Sequence, residues 1–168
     1  MRAKARKLGL LLALVGGSLL AGCGGRSIHV AGVGDVLKQN VRVDVVGVNW
    51  VEKQQWETVS MQDYWSEGNQ RRKDSISQGY NLSLAFSPDS PCDITIKDSD
   101  PLWATWEQRK ATHFLVLFDT CADSKTWRLC LPLSPKCWDR SAAKKIEVAI
   151  QPSGVIPQTA PKAKCKEG

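Results

Sequence analysis

The stretch Val41-Arg42-Val43-Asp44-Val45-Val46-Gly47-Val48 decides how the rest of the chain is read. Successive side chains of a strand point to opposite sides, so the valines at 41, 43 and 45 share one face. β-branched residues suit that pleated, half-buried surface. Gly47 inside the run marks a bulge or a close backbone approach. Working outward, residues 28–33 (IHVAGV) read as a short first strand. Tyr80, Leu82, Leu84 and Phe86 alternate with Asn81, Ser83 and Ala85, and residues 93–97 alternate around Ile94 and Ile96. The nearly continuous apolar run 113–119 is expected to be central, covered on both faces. Residues 127–133 follow it across Ala122-Asp123-Ser124-Lys125 as a hairpin, and Ile146, Val148 and Ile150 mark a last strand.

Two short helices interrupt the pattern. Ser60 is placed to cap a turn over 61–65, and Asp100-Pro101 supplies an N-cap acceptor followed by proline at the first helical position, leading to Lys110. Strands separated by turn signals, with no long helix, define a mainly β chain. The expectation is a two-sheet antiparallel β-sandwich of the immunoglobulin-like kind over residues 41–151. Residues 152–168 hold Pro152, Pro157 and Pro161, carry several charges and offer little to bury, so a disordered tail is expected.

The first 23 residues, MRAKARKLGLLLALVGGSLLAGC, read as a leader. A cationic start precedes an apolar stretch from Leu8 to Leu20, too short to cross a hydrocarbon core that needs roughly 20 helical residues. That length fits the apolar region of a signal peptide. The closing Leu20-Ala21-Gly22-Cys23 matches the bacterial lipobox: an aliphatic residue, two small residues beside the scissile bond, and a thiol to receive diacylglycerol. The signal peptide is thus expected over 1–22 and lipidation at Cys23. Residues 23–40 form a lipid-anchored linker that includes the first strand. Gly24 follows the cysteine, and the absence of Asp there favours the outer membrane.

The 168-residue chain has 23 Lys+Arg and 17 Asp+Glu, a formal net charge of +6. Arg2, Lys4, Arg6 and Lys7 belong to the leader, which holds no acid. Their removal leaves 19 basic residues (23 less four) against 17 acidic ones, a net of +2. Nucleic-acid binding needs clustered cations that release counterions from phosphate, and beyond Arg71-Arg72-Lys73 and a lysine-dotted tail the mature chain has none. Nucleic acid is therefore not an expected partner.

Nothing points to catalysis, a metal or a cofactor. No G-x-S-x-G, P-loop, G-x-G-x-x-G or H-E-x-x-H is present, the cysteines lack paired C-x₂-C spacing, and the histidines number two, His29 and His113. Asp93, Asp98 and Asp100 suit helix capping and solvation better than calcium, which wants more oxygen ligands. An extracytoplasmic compartment permits disulfides among Cys92, Cys121, Cys130 and Cys137. The hairpin register makes Cys121–Cys130 a poor pair, so each is expected to join Cys92 or Cys137, and Cys165 is left as the odd thiol. Of the seven tryptophans, most are expected to pack in the core or over its ends. Trp50 and Trp56, in a loop after the second strand, are expected to be exposed, either as partner anchors or stacked on envelope glycan.

The order of elements resembles the type VI secretion outer-membrane lipoproteins, the TssJ family. The resemblance lies in the lipobox, then VRVDVVGVN (41–49), and then a short helical stretch with Trp56, Met61, Tyr64 and Trp65. It continues through the hairpin FLVLFD (114–119) with TWRLCLPL (126–133) and its Trp127-Arg128 step, and ends in a terminal strand (145–150). The cysteine set and the Trp103–Trp106 helix depart from that family's pattern. The resemblance implies a transthyretin-like sandwich acting as a non-enzymatic anchor. Lipid on Cys23 would fix it to the outer membrane, and the segment 49–58, through Asn49, Trp50 and Trp56, would hold a periplasmic protein partner.

Overall fold

The computed structural model describes residues 25–38, 40–89, 93–119, 127–163 and 165. The leader, Cys23, Cys92, Cys121 and the expected turn at 122–125 lie outside the described residues.

Eight strands build two four-stranded sheets. They are β1 (Ser27–Gly32), β2 (Val41–Val48), β3 (Asn81–Phe86), β4 (Asp93–Lys97), β5 (His113–Phe118), β6 (Arg128–Pro132), β7 (Lys145–Gln151) and β8 (Gly154–Pro157). One sheet runs β4-β1-β7-β8 and the other β3-β2-β5-β6. Every alternating stretch of the sequence forms a strand, and β5 is central with all six residues buried. The sandwich is mostly antiparallel. The exception is β1, which lies parallel to β7 in register Ile28↔Ile146 and antiparallel to β4 on its other side. Ile28, Val30, Val43, Val45, Val148 and Ile150 are among the residues that fill the core.

Among the described residues the helices number four rather than two: α1 (Trp50–Glu57), α2 (Met61–Trp65), α3 (Gln70–Ser77) and α4 (Pro101–Gln108). Short 3₁₀ turns occupy Gly34–Lys38 and Pro135–Cys137. Ser60 caps α2 as expected, accepting from the Asp63 N–H. Asp100 precedes α4 but makes no side-chain cap bond to it; its carboxylate accepts from the Lys97 N–H at 2.7 Å and closes the preceding turn.

Residues 152–163 are ordered, contrary to the expected disordered tail, because they have partners along their length. They contribute β8, paired antiparallel with β7. Beyond the strand, Thr159 Oγ1 accepts from the Glu147 N–H at 3.0 Å, and the Lys162 N–H donates to the Cys137 carbonyl at 2.7 Å. Cys165, expected as the odd thiol, is instead disulfide-bonded to Cys137, with the Cα atoms 5.1 Å apart. Cys130 sits on β6 opposite Leu115.

Gly47 marks a close approach, as its position in β2 implies. A Cβ there would fall inside the indole of Trp106 on α4, and Trp106 Nε1 donates to the Tyr80 carbonyl at 2.9 Å. That carbonyl also accepts from the Gly47 N–H at 3.2 Å. A missing side chain on β2 thus lets α4 seat its tryptophan against the sheet.

Candidate functional site

The segment expected to form a partner-binding loop is a helix. Asn49 Oδ1 accepts from the Glu52 N–H at 2.9 Å while Glu52 Oε2 accepts from the Asn49 N–H at 3.0 Å, a reciprocal cap that starts α1 directly after β2. Glu52 also receives Arg109 at 2.5 Å, which ties α1 to the end of α4. At its far end, the Arg128 guanidinium on β6 donates to the carbonyls of Trp56 and, at 2.9 Å, Val59. The Trp127-Arg128 step therefore supplies a clasp for the α1–α2 connection.

This helix separates the expected contact residues. Trp56 is only 2 % exposed, turned inward against Tyr64 with ring centroids 5.4 Å apart and Arg71 stacked over it. It is a core residue, not a surface anchor. Trp50 is half-buried beside His113 with Lys53 over its ring at 4.6 Å, and Asn49 is occupied by capping. Among the exposed residues of α1, which include Gln54, Gln55 and Glu57, Val51 is the large apolar one, 64 % exposed. Trp56, Trp65, Trp103, Trp106 and Trp138 are all buried, which removes the row of exposed rings that stacking on glycan would need.

Under the helices lies a polar cluster that the strand pattern hid. Asp44 of β2 is fully buried. Its carboxylate accepts from the Tyr64 hydroxyl (2.6 Å), Arg72 Nε (2.8 Å) and Asn81 Nδ2 (3.0 Å), so α2, α3 and β3 all converge on it. Arg72 also donates to Ser83 Oγ at 2.7 Å and stacks on Trp65. Burial, and then the adjacent Asp44 charge and hydrogen bond, push the Tyr64 phenol well above its ordinary range. Burial works to lower the Arg72 guanidinium, but the Asp44 hydrogen bond and charge, joined by Tyr64 and Asp119, together hold it above its ordinary value. Apart from Asn81 Oδ1, which is buried without a hydrogen-bond partner, these groups bond to one another and to the sheet, so the cluster fixes the helices on it.

A cleft of about 630 Å³ opens between α4, the β5–β6 edge and the C-terminal segment. Its walls are Trp103, Trp106, Pro132, Leu133 and the Cys137–Cys165 bridge. Arg26 spans the mouth: its guanidinium stacks on Trp103 at 4.9 Å, lies 3.7 Å from Glu107 and donates to the Leu133 carbonyl at 3.5 Å. Nothing in the sequence marked this cleft, because its walls come from segments far apart in the chain. The acidic residues near α4 have structural partners: Asp98 accepts from the Arg26 N–H at 2.7 Å, and Asp93 meets His29 at 3.3 Å. Among the described residues no group of three or more His, Cys, Asp or Glu side chains is placed to hold a metal ion. Among the same residues no helix is long and apolar enough to cross a membrane.

No family model and no curated protein sequence matches the chain. Solved structures do. The C-terminal domain of the T6SS protein TssM from EAEC is similar with a TM-score of 0.51 and 10 % identity, over 79 % of this chain and 98 % of that one. Serratia marcescens Lip, described as a membrane-bound component of the type VI secretion system, is similar with a TM-score of 0.46 and 12 % identity, over 79 % of this chain and 95 % of that one. The likeness to the TssM domain shows a shared sandwich fold.

Proposed function

We propose that the protein is a lipid-tethered, non-catalytic assembly subunit of a bacterial envelope complex of the type VI secretion kind, standing on the periplasmic face of the outer membrane. The observation that carries this reading is the lipobox Leu20-Ala21-Gly22-Cys23, with only Gly24, Gly25 and Arg26 between the cysteine and β1. A lipid on Cys23 sets the sandwich directly against the bilayer. Each buried methylene contributes about 0.8 kcal/mol, so two or three acyl chains hold it where one binds only marginally. The choice of apparatus rests on the fold shared with a domain of a type VI secretion protein.

The partner surface we propose is the outer face of α1, with Val51 and Trp50 as the contact and Asn49 holding the helix start. Trp56 supports that face from behind. The partner is the periplasmic part of an inner-membrane subunit of the same apparatus. Cys23→Ala is expected to move the protein from the membrane pellet to the soluble fraction. Val51→Asp is expected to leave it membrane-bound while abolishing co-purification with the inner-membrane subunit of the same apparatus. Membrane labelling unchanged by Cys23→Ala would end the tether reading, and co-purification unchanged by Val51→Asp would end the α1 assignment.

A further inference from the structure

We infer that the cleft beside α4 shelters one acyl chain of the lipid carried on Cys23. This rests on the lipoprotein reading and adds to it a place for part of the lipid when it is out of the bilayer.

The cleft has the size and chemistry for such an occupant. Its 630 Å³ falls within the range of about 300–1,000 Å³ typical of small-molecule sites. Trp103, Trp106 and Cys137 are buried and offer indole faces and sulfur, with Pro132 and Leu133 beside them. Of the charged and polar lining groups, Glu107, Thr112, Ser134 and Lys136 are exposed at the lips and Arg26 is half-buried at the mouth, while His113 is buried in the otherwise apolar wall. An apolar interior with a polar rim takes an amphiphile by its hydrocarbon end.

The chain delivers the lipid to that mouth. Arg26 is itself part of the rim, and its backbone is pinned there, with its N–H donating to Asp98 Oδ2 at 2.7 Å and its carbonyl accepting from the Asp98 N–H at 2.9 Å. Gly25 lies so close to Asp98 that a Cβ would stand 2.6 Å from Oδ1. Cys23 is three residues from Arg26, a span of at most about 11 Å. A tether this short gives its cargo an effective concentration on the order of millimolar or above. Every methylene of an acyl chain left in water is unfavourable, so an apolar slot within reach is filled whenever the chain is out of the bilayer.

The test feeds cells expressing the full chain a palmitate analogue with a diazirine on its alkyl chain, purifies the protein away from membrane and detergent, irradiates it, and maps it by peptide mass spectrometry. The expected result is the analogue on the Cys23 peptide together with an intramolecular crosslink to peptides containing Trp103–Trp106 or Leu133. Ala111→Trp, which fills the cleft, is expected to abolish that crosslink while leaving Cys23 labelled. Ser134→Trp at the lip serves as a second filling variant, and cooperative thermal unfolding confirms that each has folded. Label on Cys23 with crosslinks only to phospholipid or other proteins overturns the inference and leaves the lipoprotein reading intact. A crosslink that persists in both folded variants overturns it too. Absence of label from Cys23 removes the lipoprotein reading, and the inference with it.

Discussion

Asp44 shows how much one side chain can organise. In Val43-Asp44-Val45 it occupies the position of an outward polar residue on a half-exposed strand, yet α2 and α3 close over it completely. A buried carboxylate is tolerated only when it is paired and hydrogen-bonded, and Tyr64, Arg72 and Asn81 provide for that. Asp44→Ala should therefore cost about 3–5 kcal/mol, since removing one partner strands Arg72 against the sheet; urea unfolding measures it, and a loss below 1 kcal/mol would contradict the assignment. Tyr64 adds a pH signature. Its phenol is raised above the ordinary value near 10, mainly by burial, so the fold favours the neutral form. A raised group contributes stability that is complete below the unfolded-state value and drains away as pH rises through the folded one. The protein should thus lose stability above about pH 10, and Tyr64→Phe should flatten that decline. Equal alkaline slopes of urea midpoints in the two proteins would show that Tyr64 does not contribute.

At the level of elements, what could be read from the sequence follows from what holds each element. Seven of the strands carry alternating apolar residues, because a sheet face is specified by its own side chains. β8 escapes that reading: Gly154-Val155-Ile156-Pro157 lies between prolines, and its order comes from β7 and from the disulfide beyond it. Cys165→Ser should cost about 3–4 kcal/mol for the 28-residue separation that the bridge closes, and reduction of the wild type should do the same; a thermal melt unaffected by reductant would refute this. The helices α1 and α3 lack an apolar stripe: Gln70–Ser77 buries only Ser75, and Trp50–Glu57 only Lys53 and Trp56. They are held by caps and by arginines from elsewhere in the fold. The Asn49-x-x-Glu52 spacing was a legible start signal for α1, whereas the Arg128 clasp at its other end depends on a strand about 70 residues away in sequence. The cleft was illegible for the same reason, since Arg26, Trp103 and Leu133 meet only once both sheets have formed.

Considered as a whole, the described part of the molecule is a sandwich with a helical cap, with the proposed tether leading into β1 and the proposed contact on α1. The arrangement gives the interior position of β1 a mechanical meaning. β1 is held by β4 on one side and β7 on the other, and under the proposed tether it is the strand through which tension between the bilayer and a bound partner would enter the domain. An edge strand can be peeled away one bond at a time. An inner strand pulled along its length must slide against both neighbours at once, so the load is shared across both ladders. Optical-tweezer pulling with one handle on Val51 should therefore give a higher rupture force when the other handle is at Gly25 than when it is at Gln158, beyond the edge strand β8; an equal or lower force at Gly25 would refute the idea. If the tether is as proposed, the domain would resist load entering along β1 and yield first at the edge strand β8, the side that would bear no load.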